Sequence, residues 1–131
     1  MIVGIGVDIM QVDRIKGAIE RHGDAFLQRI YTPDEITYCH DGAHPFQRFA
    51  TRFAAKEAVL KALGVGWQRG TSFRDVTVKI DDLGAPSVEL NGRSREIAEE
   101  NSVDKIHLSL SHDTNYAVAQ AVAENLPETG S

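Results

Sequence analysis

A single cysteine, Cys39, is all the thiol chemistry this chain contains. That excludes an intrachain disulfide and a cluster of thiolate metal ligands, and it fits a reducing, cytoplasmic setting. Positive charge is in deficit: 14 lysines and arginines face 19 aspartates and glutamates, a net charge of −5. Bulk electrostatics therefore give no reason to expect nucleic acid or an anionic membrane as partner, although the basic residues are uneven enough to form a local patch. No apolar run approaches the about 18 residues of a membrane span. The N-terminal Met1-Ile2-Val3-Gly4-Ile5-Gly6-Val7-Asp8 lacks a basic leader and a small-residue cleavage site, so it reads as a buried strand rather than a signal peptide. Internal repeats and long linkers are missing too. At 131 residues, what remains is one domain with room for a real core, placed at residues 1–123. Residues 124–131 read as a tail. Its Leu126-Pro127-Glu128-Thr129-Gly130 matches a cell-wall sorting pentapeptide without the apolar and basic segments that should follow, and it is left outside the fold.

The elements follow from spacing. In residues 2–9, Val3, Ile5, Val7 and Ile9 share one face, and Ile2, Gly4, Gly6 and Asp8 the other. Two glycines on one face of a strand imply that something packs very close to it, with Asp8 at the strand's end. Asp13 is a candidate cap for a helix from Arg14 to about His22, ended by Gly23. Thr32-Pro33-Asp34-Glu35 has the pattern of a capping box with proline at the first helical position. The strongest helical pattern covers about Pro45 to Leu63: Phe46, Phe49, Phe53, Leu60 and Leu63 recur at helical steps with alanines between. Val76–Ile80 and Pro86–Leu90 form a hairpin signal, Arg93 to Asn101 a short polar helix, and Lys105–Ser111 with Tyr116–Val122 a second strand pair. This order predicts an α+β fold with a largely antiparallel sheet packed with helices.

Few residues carry obvious chemistry. Asp8, beside glycines, is placed either to meet a ligand or cation or to cap the next turn. Gly4-Ile5-Gly6 is too short for a dinucleotide fingerprint. Glu57 and Lys61 share a helix face, as do Arg52 and Lys56. Glu57 with Lys61 is equally the pattern of an exposed ion pair. Ala54, Ala55, Ala58 and Ala62 keep this helix thin, so it can approach a glycine-bearing strand and bring Glu57 towards Asp8. Two carboxylates with few other ligands suit magnesium, which completes its shell with water and phosphate oxygens. On the later strand, His107, Ser109 and Ser111 oppose Ile106, Leu108 and Leu110. A triad of Ser111, His112 and Asp113 is rejected, because adjacent residues cannot turn towards one another as nucleophile, base and orienter. His22, His40 and His44 show no ligand spacing, and Trp67 is either core or a loop aromatic near a ligand.

Three motifs occur in order: Gly4-Ile5-Gly6-Val7-Asp8-Ile9, Arg52-Phe53-Ala54-Ala55-Lys56-Glu57-Ala58 with Lys61, and Ser109-Leu110-Ser111-His112 with Tyr116-Ala117. Together they resemble the signatures of the holo-acyl-carrier-protein synthase family of 4′-phosphopantetheinyl transferases, over roughly residues 2–123. Ala50-Thr51 before Arg52, and the stretch from Trp67 to Phe73, differ from the commoner pattern and bear on loop contacts to coenzyme A. The resemblance implies transfer of the 4′-phosphopantetheine arm of coenzyme A to a serine of an acyl carrier protein, releasing 3′,5′-ADP, in support of fatty acid biosynthesis. It implies Mg2+ held by Asp8 and Glu57, with Glu57 as base and Lys61 stabilising charge. Arg52, Lys61, Ser111 and His112 would contact coenzyme A, with Lys56 a lesser candidate. Arg14 and Arg21, with Lys16 nearby, would dock the acidic carrier. The same resemblance implies a homotrimer with active sites between subunits. Two rival readings are a magnesium-dependent pyrophosphohydrolase acting on coenzyme A or nucleotides, and a non-catalytic coenzyme A-binding module.

Overall fold

The computed structural model describes residues 1–65 and 70–127. Gly66, Trp67 and residues 128–131 therefore lie outside the described residues, and with them the readings placed on Trp67 and on the end of the tail. The chain order is β1 (Ile2–Gln11), α1 (Val12–His22), α2 (Asp24–Ile30), α3 (Pro33–His40), α4 (Pro45–Ala62), a short 3-10 turn at Phe73–Asp75, β2 (Val76–Ile80), β3 (Pro86–Leu90), α5 (Gly92–Glu100), β4 (Lys105–His112) and β5 (Tyr116–Glu124). Two antiparallel sheets result, one ordered β1-β5-β4 and one hairpin β2-β3. The α+β expectation holds. Among the described residues no helix is long and apolar enough to cross a membrane.

The centre of the molecule is α4 laid across the β1-β5-β4 sheet, and small residues make that contact possible. Ala117, Ala119, Ala121 and Ala123 of β5 are fully buried, as are Ala50, Ala54, Ala55 and Ala58 of α4. Gly4 and Gly6 of β1 face the helix so closely that an added Cβ would run into the carbonyl oxygens of Ala62 and Ala58. The sequence reading of β1 as a buried strand is correct for this face only. β1 is an edge strand, and its other face is open: Val3 is 41% exposed, Ile5 58%, Val7 57% and Ile9 62%.

One local expectation changes in detail. α1 starts at Val12 with Gln11 at the cap position, so Asp13 lies in the first helical turn and does not cap it. A carboxylate there still favours the positive end of the helix dipole. The capping box of α3 is present, with Thr32 N–H donating to Glu35 Oε1 at 2.9 Å and Glu35 N–H to Thr32 Oγ1 at 3.3 Å. Glu35 has a second task. It is buried, and it also accepts from Lys56 Nζ at 2.7 Å and from Val78 N–H at 3.0 Å, which ties α3, α4 and β2 together.

Candidate functional site

Asp8 does not end its strand. β1 continues three residues further to Gln11, so the alternative of a turn-capping aspartate fails. The side chain emerges on the glycine face, opposite Ala119 of β5. Lys61, near the end of α4, reaches back to it: Nζ donates to Val7 O at 3.0 Å and to Asp8 Oδ1 at 3.3 Å. The Asp8 side chain is 15% exposed and that of Lys61 51%. Asp8 Oδ2 is buried and accepts no hydrogen bond.

Glu57, one turn before Lys61, is half-buried in the same place. Burial pushes its carboxyl above the ordinary range, the nearby Asp8 charge pushes it further, and Lys61 opposes both. The two carboxylates therefore lie near enough to feel each other, which is what the glycine strand and thin helix predict. The ion pair that Lys61 makes is with Asp8, 53 positions away, rather than the simple surface pair with Glu57.

Among the described residues no group of three or more histidines, cysteines or acidic residues converges. Two carboxylates, one with a buried oxygen lacking any partner, match a hard cation that keeps several positions for water and phosphate. They fit.

A second site lies beyond the opposite edge of the sheet. A cavity of about 420 Å3 is lined by Tyr38, Arg48, Thr51, Arg52, Ser109 and His112, among others. The guanidinium carbons of Arg48 and Arg52 each lie 4.2 Å from the Tyr38 ring centroid. Arg52 is 3% exposed and its Nε has no partner, so a buried cationic donor is available to an anion. Of the residues matched to coenzyme A, the structure gathers Arg52 and His112 here. Ser111 is exposed and does not line the cavity; its neighbour Ser109 does. Lys56 lies in the protein interior, donating to Glu35 Oε1, to Phe73 O at 3.0 Å and to Val76 O at 2.6 Å, so it contacts no phosphate. The sequence alone does not mark Tyr38 and Arg48 as site residues. Their only signal was the four-residue step from Arg48 to Arg52.

A second cavity, also about 420 Å3, opens beside α1. Arg14 and Arg21 both line it, over Met10, Phe26 and Phe53. Met10 is the next inward-facing residue after Asp8 on β1, and Phe53 stands one turn before Glu57 on α4. The basic rim and apolar floor thus adjoin the carboxylates. Lys16 takes no part: it lies 5.6 Å from the Phe46 ring, on another side of α1.

Known proteins resemble this chain along nearly its whole length. A family model described as the 4′-phosphopantetheinyl transferase superfamily matches residues 4–121. The holo-[acyl-carrier-protein] synthase of Solibacter usitatus is 46% identical over 125 residues, 95% of this chain and 100% of that protein. Among solved structures, the holo-[acyl-carrier-protein] synthase of Neisseria meningitidis aligns with a TM-score of 0.87 at 37% identity, covering 95% of this chain and 100% of the other. The enzyme of that name from Bacillus anthracis, solved in complex with CoA (3′,5′-ADP), aligns with a TM-score of 0.79 at 38% identity, covering 96% and 99%. Matched in sequence and in fold over nearly its whole length, this chain belongs to the 4′-phosphopantetheinyl transferase superfamily.

Proposed function

We propose that the protein is a holo-[acyl-carrier-protein] synthase. It transfers the 4′-phosphopantetheine of coenzyme A to a serine of an apo-acyl carrier protein and releases 3′,5′-ADP, in the cytoplasm and in support of fatty acid biosynthesis. The observation that carries this reading is the meeting of Asp8, Glu57 and Lys61 at the contact of β1 with α4, within the residues 4–121 that the family model matches.

In the reaction a bond forms between the serine oxygen and the phosphorus bearing pantetheine, and the pyrophosphate P–O bond breaks. Asp8 and Glu57 would hold Mg2+, which when bound supplies positive charge to the pyrophosphate oxygens. Glu57, half-buried beside Asp8, would take the serine proton, directly or through water. Lys61 would meet the negative charge building on the 5′-phosphate of the leaving 3′,5′-ADP. Arg52 and His112 would bind the nucleotide end of coenzyme A, with Ser111 at the margin. Arg14 and Arg21 would hold the acidic carrier, placing its serine near the carboxylates.

The two halves of this site lie at opposite edges of one subunit's sheet, Asp8 on β1 and His112 on β4. A homotrimer with active sites between subunits would bring the carboxylates of one copy to the nucleotide cavity of the next. The open face of Val3, Ile5, Val7 and Ile9 offers apolar surface for such an assembly. The test is incubation with coenzyme A, Mg2+ and an apo-carrier. The carrier should gain phosphopantetheine; release of free phosphopantetheine would make the protein a hydrolase, and no turnover a binding module.

A further inference from the structure

Asp8 already holds a cation. Lys61 Nζ bonds the Val7 carbonyl oxygen and Asp8 Oδ1, oxygen donors of the kind that a hard divalent ion uses. We propose that Lys61 is a built-in occupant of the metal site: its ammonium neutralises Asp8 in the free protein and competes with the divalent cation for it. The inference rests on the assignment of the metal to Asp8 and Glu57.

Three observations converge on it. The occupation is incomplete, because Asp8 Oδ2 remains buried without a partner while Lys61 sits at Oδ1. One positive charge also faces two carboxylates, Asp8 and, one turn before Lys61 on α4, Glu57. A divalent ion brings the second charge. Finally, the Lys61 side chain is half exposed, so it can swing into water at little desolvation cost. The wholly buried Lys56, on the same helix, has no such freedom.

Such a placeholder keeps two neighbouring carboxylates compatible until the metal arrives. Arrival of the metal then frees the ammonium, beside the place where leaving-group charge develops. The opposite arrangement, in which Lys61 props Asp8 into position for the metal and stays on it, makes the opposite prediction: removing the lysine would weaken metal binding.

The test is a titration of the full-length protein with Mn2+ in the absence of coenzyme A, reading free Mn2+ by electron paramagnetic resonance. Removing a unit charge a few ångströms from a divalent ion, at near-aqueous screening, is expected to tighten binding by about tenfold in Lys61→Met. Lys61→Arg keeps the charge and should stay close to the unsubstituted protein. Lys61→Gln serves as the second neutral variant if circular dichroism shows Lys61→Met misfolded. Equal or weaker binding in the neutral variant overturns the proposal, and so does tightening of the same size in Lys61→Arg. Asp8→Ala should abolish binding. If it binds as tightly as the unsubstituted protein, the metal assignment itself falls; if it loses binding while the neutral Lys61 variant gains none, only the placeholder falls.

Discussion

Lys56 is wholly buried and Lys61 half exposed, although five positions of one helix separate them. The difference is angular. Five residues turn the helix far enough that Lys61 reaches β1 while Lys56 points at α3 and the β2 strand. Burial lowers the readiness of Lys56 to hold its proton, and the Glu35 carboxylate opposes that. Replacing Lys56 by methionine would strand a buried carboxylate and two carbonyl groups. We expect a loss of about 3–5 kcal/mol, read as a lowered urea midpoint; an unchanged midpoint would show that Lys56 holds nothing together. Cys39 makes a second residue-scale case. It is fully buried, and that burial raises the thiol from 9.0 to about 11. Because the folded value lies above the unfolded one, its contribution to stability is complete below about pH 9 and is lost as the pH climbs towards about 11. At pH 8 the native thiol should resist an aromatic disulfide reagent and react once urea is added. Fast reaction without urea would mean that the core around Cys39 opens readily.

Among the elements, β1 and α4 depend on each other most. Their backbones touch through Gly4, Gly6, Ala58 and Ala62, and a methyl group at Gly6 has a carbonyl oxygen in its way rather than a flexible side chain. Gly6→Ala should therefore cost about 3 kcal/mol or more and pull Asp8 away from Glu57, lowering the thermal midpoint and the metal affinity together. A variant with undisturbed melting would contradict the close packing. This contact is also where the sequence was most legible: two glycines on one strand face and four alanines on one helix state it in residue size alone. The capping box of Thr32 and Glu35 and the β2-β3 hairpin were legible for a similar reason, since their partners are neighbours in the chain. The second task of Glu35 was not, because Lys56 lies 21 positions away and meets it only once α3 packs on α4. The cavity of Tyr38, Arg48 and Arg52 was hidden in the same way. Strand alternation placed Ser111 on the face of His107 and Ser109, but where the mouth of a cavity falls along an edge strand is not a periodic property.

At the scale of the molecule, an acidic chain lines two of its described cavities with paired arginines: Arg14 with Arg21, and Arg48 with Arg52. Their separation across the sheet, together with an apolar strand face left open, is why assembly enters the account. Sedimentation should find a trimer, and Ile5→Glu should break it into folded monomers with little transferase activity. A monomeric unsubstituted protein, fully active, would contradict shared sites. Transfer to the carrier depends on the carboxylates where β1 meets α4. Its most direct test is the intact mass of an apo-carrier after incubation with coenzyme A, Mg2+ and the protein, run beside Asp8→Ala and Glu57→Ala variants that keep the native circular dichroism. The predicted result is a carrier heavier by one phosphopantetheine with the unsubstituted protein and unchanged with either variant. A carrier modified as fast by either variant as by the unsubstituted protein would contradict the account.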